Sequence, residues 1–202
     1  MKHEDYAAWL VDFDGTLYRP KPVQLAMAAE LLLTGLPRVP VIRAFRAEHE
    51  RLRSEEALHE PSPFHAQLAR AAERTQLAPE VIERIVREWM QERPCKWIRR
   101  FVRTELVTEL RSFRAAGGKL AVVSDYPVRA KLAALELTEL FDVVVANGEA
   151  DGPASLKPTP AGFLRAAERL SVAPAACLVI GDRDDADGEA SRRAGMGFRL
   201  VR

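Results

Sequence analysis

Short apolar runs that alternate with helical patterns constrain this chain more than any other feature. Several of these runs lack the polar–apolar alternation of a strand with one wet face, so we expect both faces to be covered. Strand and helix in alternation predict an α/β fold with a parallel sheet between helices. The strand candidates are 7–13 (AAWLVDF), 119–125 (KLAVVSD), 141–147 (FDVVVAN), 176–182 (ACLVIGD) and, more weakly, 197–202 (GFRLVR).

Two connecting helices have clear sequence signals. Leu106, Leu110 and Phe113 repeat at helical spacing, and Gly117 and Gly118 follow them as a stop signal. In the segment 159–170, Thr159 is placed to cap a helix and Pro160 suits its first position. Both helices would connect consecutive strands of the predicted sheet.

A long helical stretch interrupts the strand–helix alternation after the first strand. Between Tyr18 and Lys96 no convincing strand pattern occurs, and prolines separate four helix-like segments. Apolar residues of the last segment, 79–92, lie on one helical face. We therefore predict an all-helical cap domain at 19–96, inserted into an α/β core formed by 1–18 and 97–202.

Composition excludes several classes of protein. The chain has 202 residues, of which 48% are hydrophobic, and 30 basic residues balance 29 acidic ones. This near-neutral balance gives no reason to expect nucleic acid or a membrane as a partner. Cys95 and Cys177 fit no disulfide framework or zinc spacing, and the N-terminal residues lack a signal-peptide pattern. These features predict a cytoplasmic protein with reduced thiols.

Polar side chains follow the strand candidates at the end where ligands bind in open parallel sheets. Asp12 and Asp14 follow the first strand, and alternate residues of an extended chain point to one side. Two adjacent carboxylates repel each other, and Mg²⁺ commonly relieves such repulsion at phosphate sites. The other segments that converge on this edge carry Ser124, Asp125, Lys157, Asp182, Asp184, Asp185 and Asp187.

Four motifs occur in an order that resembles the haloacid dehalogenase superfamily. They read DFDGTL, VVSDY, LKPTP and VIGDRDDADG, and they cover the whole predicted α/β core. The resemblance implies a Rossmann-like core with an α-helical cap inserted after the first motif. It also implies phosphate chemistry, because dehalogenases of the superfamily lack the second aspartate of the first motif, which is Asp14 here.

The resemblance also implies roles for individual residues. Asp12 would be the nucleophile that forms an aspartyl-phosphate, and Asp14 the acid/base. Ser124, Asp125 and Lys157 would bind the phosphoryl group. The Mg²⁺ ligands would be Asp12, the backbone carbonyl of Asp14, Asp182 and the second acidic residue of the last motif, which is Asp187 or its competitor Asp185.

The resulting expectation is a Mg²⁺-dependent phosphatase acting on a small phosphorylated metabolite. A phosphomutase of the same fold is the closest alternative, and no sequence feature separates the two. A phospho-receiver module fits less well, because its phosphorylated aspartate would be expected on a middle strand and it has no cap, whereas Asp12 and Asp14 follow the first strand of the chain and a helical insertion follows them. A non-catalytic binding protein is a third alternative. Neither the substrate's identity nor the oligomeric state follows from the sequence.

Overall fold

A five-stranded parallel sheet lies at the centre of the protein, in a computed structural model that describes residues 6–202. The spatial order of the strands is β3-β2-β1-β4-β5, so β1 is the middle strand. Every predicted strand forms, although each is shorter than its apolar run. The bounds are β1 Ala8–Val11, β2 Lys119–Ser124, β3 Val143–Ala146, β4 Cys177–Gly181 and β5 Gly197–Leu200.

Apolar layers cover both faces of the sheet, as the uninterrupted strand pattern predicts. On one face, Val11 and Val122 pack with Leu110 of α6, the helix at Thr104–Ala115. On the other face, Leu10 and Val123 pack with Phe163 and its neighbours. Alternate residues of one strand thus enter different layers. The remaining helices of this region are α7 Arg129–Ala134, α8 Ala161–Leu170 and α9 Glu189–Arg193.

The two helices predicted between strands are present, with one boundary error. Helix α6 ends at Ala115, and Gly117 behind it adopts a φ of +92°. Helix α8 begins at Ala161, with Pro160 rather than Thr159 at the cap position. The prediction of a Thr159 cap is wrong, because the Thr159 hydroxyl donates to the carbonyl of Leu156 at 2.8 Å.

The chain between β1 and α6 is helical over most of its length. Its helices are α1 Pro20–Thr34, α2 Val39–Glu55, α3 Pro63–Thr75, α4 Pro79–Val86 and α5 Cys95–Arg100. The predicted single helix over 79–92 changes at Arg87 into a π-helical turn that runs to Glu92. Within residues 6–202 no single helix is long and apolar enough to span a bilayer. Only α1 taken together with residues 36–55 meets those criteria, across a bend of 108°.

The helical segment has its own apolar cluster and polar contacts to the sheet region. Phe45, Ile82 and Trp89 belong to this cluster. Where the segment leaves and rejoins the sheet region, Tyr18 pairs with Val102 in an isolated antiparallel bridge. The division into a cap at 19–96 and a core stays a prediction, and residues 1–5 of the predicted core lie outside the described residues.

Candidate active site

The strand ends bring two chain segments together around a tight turn. Asp12 follows β1, and its backbone N–H donates to the Ile180 carbonyl of β4 at 2.9 Å. Gly15 follows with a φ of +97°, a conformation that favours glycine. A Cβ at Gly15 would lie 2.1 Å from the Asp182 carboxylate. Glycine at this position therefore lets the first and last motifs approach each other.

Lys157 lies between two of the predicted carboxylates. Its Nζ donates to Asp12 Oδ1 at 2.5 Å and to Asp187 Oδ1 at 2.7 Å, and all three side chains are buried. Burial opposes the charge of Lys157, but attraction to Asp12 and Asp187 outweighs it and raises the pKa above its usual range. The lysine is therefore a fixed positive charge in the site.

Lys157 offsets only part of the negative charge around it. Burial raises the pKa of Asp12 to about 8; Lys157 opposes this rise, and the charges of Asp187 and Asp182 add to it. Burial and the charge of Asp187 also raise the pKa of Asp182. The cluster thus favours an additional cation.

The donor geometry fits a hard divalent ion. Asp12, Asp182 and Asp187 each offer a carboxylate oxygen, and these oxygens lie within 4.8 Å of one another. Mg²⁺ prefers oxygen ligands and is often bound by a few carboxylates together with phosphate and water. The residues present therefore fit the implied ion, and Lys157 leaves the cluster with excess negative charge.

Asp14 has different partners from Asp12. Both of its carboxylate oxygens accept from Lys131 Nζ, at 2.7 and 2.9 Å, and the Tyr18 hydroxyl donates to Oδ1 at 2.8 Å. Its side chain is absent from the three-carboxylate cluster. Sequence reasoning missed Lys131 and Tyr18. Tyr18 lies four residues after Asp14, but nothing in the sequence around Lys131 indicates the contact.

Ser124 and Asp125 lie at the end of β2, both buried. The Ser124 hydroxyl accepts from the backbone N–H of Tyr126 at 3.1 Å and can still donate its own proton. The Asp125 carboxylate accepts from the backbone N–H of Lys157 and from Arg53, each at 3.2 Å. A carboxylate repels phosphate, so a phosphate contact by Asp125 would involve its backbone N–H. Arg53, on α2, is a further residue that the sequence did not indicate.

The structure separates the two candidates in the last motif. Asp187 is buried against Lys157 and also accepts from the backbone N–H of Arg183 at 3.2 Å. Asp185 is exposed and pairs with the Arg183 side chain. Asp187 therefore lies in the carboxylate cluster and Asp185 does not, so the metal role of Asp187 is the prediction that we retain.

One cavity joins this cluster to the helical segment. It has a volume of about 640 Å³, within the range of small-molecule sites. Asp12, Asp14, Ser124 and Lys157 line one part of it, and side chains of α1, α2 and the π-helical turn line another. A substrate bound at the carboxylates would therefore contact the helical segment.

The comparisons with known proteins agree on the fold. A family model described as a haloacid dehalogenase-like hydrolase matches residues 6–195. No curated protein sequence matches the chain. Three similar solved structures have different activities in their descriptions, and all are below 25% identity, so they show the fold alone.

The first is a HAD phosphatase from Thermococcus onnurineus, at 20% identity and a TM-score of 0.56, covering 96% of this chain and 86% of the other. The second is L-2-haloacid dehalogenase from Xanthobacter autotrophicus, at 19% identity and a TM-score of 0.65, covering 97% of this chain and 77% of the other. The third is a proposed beta-phosphoglucomutase from Thermotoga maritima, at 22% identity and a TM-score of 0.57, covering 97% of this chain and 85% of the other.

Proposed function

Because the chain belongs to the haloacid dehalogenase-like hydrolase family, we propose that it is a Mg²⁺-dependent phosphatase of small phosphomonoesters. The observation that carries this proposal is the second carboxylate, Asp14, held by Lys131 and Tyr18 in the same cavity as Asp12. Phosphoryl transfer to a carboxylate and then to water needs both a nucleophile and an acid/base. The resemblance to dehalogenases leaves the second carboxylate unexplained.

The first half-reaction transfers the phosphoryl group to Asp12. A carboxylate oxygen of Asp12 attacks phosphorus, a new O–P bond forms, and the bond from phosphorus to the ester oxygen breaks. Asp14 gives a proton to the departing alkoxide, so the alcohol leaves neutral. Lys157 and the Ser124 hydroxyl bind the phosphoryl oxygens and offset their charge.

The second half-reaction returns Asp12 to its free form. Asp14, now ionised, takes a proton from water, and the water oxygen attacks phosphorus. The bond between phosphorus and Asp12 breaks, which releases inorganic phosphate and leaves Asp14 protonated for the next turnover. Bound Mg²⁺, held by Asp12, Asp182, Asp187 and the Asp14 backbone carbonyl, would supply charge neutralisation between the carboxylates and the phosphoryl group.

We further propose that residues 19–96 act as a mobile cap over this site, in a cytoplasmic enzyme whose substrate is a small phosphorylated metabolite. Arg53 of α2 bonds Asp125 beside Lys157, and the bridge between Tyr18 and Val102 lies where the segment joins the core. Closure of such a segment would exclude bulk water from the aspartyl-phosphate.

Phosphate release tests this function directly. The purified protein with Mg²⁺ should release inorganic phosphate from p-nitrophenyl phosphate and from members of a phosphomonoester panel. Asp12→Asn should lower the rate by several orders of magnitude, because the amide cannot attack phosphorus. Asp184→Asn is the matched control, since Asp184 is exposed and pairs with Arg192.

Other outcomes identify the alternatives. Conversion of a sugar phosphate to an isomer without phosphate release would indicate a phosphomutase. Halide release from a 2-haloacid with no phosphate release from any ester would indicate a dehalogenase. Full activity of Asp12→Asn would contradict the proposed nucleophile.

A further inference from the structure

The part of the cavity formed by the helical segment is mostly apolar. Its side chains come from α1, α2 and the π-helical turn, which are far apart in the sequence. Six of them form an apolar wall in which the one hydrogen-bond donor is the indole N–H of Trp89. They are Val23, Met27, Leu31, Ile42, Trp89 and Met90.

The polar side chains that this segment adds to the cavity are poorly suited to bind hydroxyl groups in a dry site. Gln24, Arg46 and Glu50 are exposed to solvent. Arg53 already donates to Asp125 at 3.2 Å and to Glu50 at 3.4 Å. Within residues 6–202 the Trp89 indole N–H and the Nε–H of Arg53 have no hydrogen-bond partner, but two donors cannot satisfy the several hydroxyls of a sugar.

Trp89 is held tightly in this wall. A Cβ at Gly35 would lie 2.4 Å from its ring, so the α1 terminus approaches the indole as only glycine permits. The guanidinium of Arg93 lies over the indole ring of Trp89, 4.2 Å from the ring centroid. The residue lies in a π-helical turn, a feature that is frequent at functional sites. Trp89 is therefore closely packed on several sides, and it lines the same cavity as Asp12 and Lys157.

We propose, on the basis of the proposed phosphatase function, that the substrates are phosphomonoesters of apolar alcohols, with an aliphatic or aromatic body. A hydroxyl buried without a hydrogen bond weakens binding by about 5- to 150-fold, whereas each buried methylene favours binding. The Met27–Trp89–Met90 surface thus discriminates against sugar phosphates and selects an apolar body.

Alkyl phosphates measure this selectivity at constant leaving-group chemistry. The esters of ethanol, butanol and hexanol differ in length but hardly in the pKa of the alcohol released. We expect kcat/KM for hexyl phosphate to exceed that for ethyl phosphate by at least about tenfold. Complete burial of the four additional methylenes would give an upper limit of about 200-fold. The kcat/KM for hexyl phosphate should also exceed that for glucose 6-phosphate, which has the same number of carbons.

Substitutions in the wall test where the selectivity arises. Met27→Gln should lower the ratio of kcat/KM for hexyl to ethyl phosphate at least about threefold, because an amide then faces the alkyl chain. Met90→Gln is a second variant from a different element, in case the first does not fold. Leu33→Gln is the matched control, since Leu33 lies on the same helix as Met27 and is 83% exposed.

The outcomes separate this proposal from the function on which it rests. Phosphate release that rises with alkyl length in the wild type and Leu33→Gln, and less so in the wall variants, supports it. Phosphate release from ethyl phosphate with a flat alkyl series, or a preference for glucose 6-phosphate, overturns the substrate class alone. No phosphate release from any ester overturns the proposed function together with this proposal.

Discussion

Asp12 and Asp14 are two residues apart, yet they have different environments. Asp12 is buried between Lys157 and the other carboxylates, where burial raises its pKa to about 8. Asp14 is partly exposed and is held by Lys131 and Tyr18. Two carboxylates with separate partners suit two roles, a nucleophile that needs a cation and an acid/base that exchanges protons with solvent.

Lys131 is expected to act as a positioning residue for Asp14. Lys131→Met removes both of the lysine's hydrogen bonds to the carboxylate, so Asp14 would lose its defined orientation. We expect kcat to fall by about 10- to 100-fold, the effect of misplacing a reacting group by about 1 Å, while KM changes less than about threefold. Steady-state kinetics with p-nitrophenyl phosphate would measure both values.

Two controls separate positioning from a general structural effect. Lys131→Arg keeps the charge and should restore part of kcat. Lys119→Met removes a lysine at the start of β2, the end of the strand away from the site. The Nζ of Lys119 donates to the Leu170 carbonyl, and this substitution should leave kcat unchanged. Wild-type kcat in Lys131→Met would show that Asp14 does not depend on this lysine.

At the scale of elements, α2 is the helix that links the helical segment most directly to the site. His49 of α2 is fully buried and stacks on Tyr126, which follows β2, with ring centroids 4.2 Å apart. Its Nδ1 lies 3.4 Å from the Gln67 amide oxygen and its Nε2 3.4 Å from Arg53. A neutral ring fits both contacts, because the guanidinium can only donate. The charged groups near the ring are Arg53, Asp125 and Glu50.

Stability should therefore depend on pH through His49. Burial lowers its pKa below the ordinary value of 6.5; Asp125 opposes this shift and Arg53 adds to it. Below pH 6.5 the unfolded chain binds a proton at His49, whereas the folded protein binds it only at a lower pH. The contribution of neutral His49 to the free energy of unfolding is therefore fully present above pH 6.5, and it decreases as the pH falls towards the folded-state pKa.

Urea unfolding at pH 7.5 and pH 5.5 would measure this contribution. His49→Phe keeps an aromatic ring against Tyr126 but cannot bind a proton, so its unfolding free energy should fall less between the two pH values than that of the wild type. His65→Phe, at an exposed histidine, is the control and should keep the wild-type difference. An equal pH dependence in His49→Phe and the wild type would contradict the prediction.

At the scale of the whole molecule, we expect the carboxylate cluster to make the stability of the fold depend on divalent ions. Three carboxylates lie together at the end of the sheet, and Lys157 pairs with only two of them, so we expect Mg²⁺ to bind the folded protein in preference to the unfolded chain. At Mg²⁺ concentrations about 100-fold above Kd, linkage adds about 2.7 kcal/mol to the free energy of unfolding. For a domain of this size that raises Tm by about 5–10 °C.

Thermal unfolding with Mg²⁺ and with EDTA would test this prediction. Asp187→Asn should lose most of the Mg²⁺-dependent rise in Tm, because a buried ligand is removed. Asp185→Asn should keep it, because Asp185 is exposed and pairs with Arg183. The same rise in both variants would exclude Asp187 as a ligand, and no rise in the wild type would argue against a metal site.

The sequence alone determined the sheet, its covered faces and the residues at the strand ends. These features depend on local patterns: uninterrupted apolar runs require burial on both sides, and parallel strands bring their carboxyl ends to one edge. The cluster of Asp12, Lys157 and Asp182 was predictable for this reason. The sequence-based predictions that were wrong were also local, namely the Thr159 cap and the unbroken helix over 79–92, which changes to a π-helical turn at Arg87.

Only the tertiary structure decided which side chains meet across long stretches of chain. Lys131 reaches Asp14 over 117 residues and Arg53 reaches Asp125 over 72. It also placed Asp187 rather than Asp185 against Lys157, and set Met27 and Trp89 in one wall of the cavity. Such contacts depend on how helices from distant segments pack against the sheet, and the periodicity of a single segment carries no information about that packing.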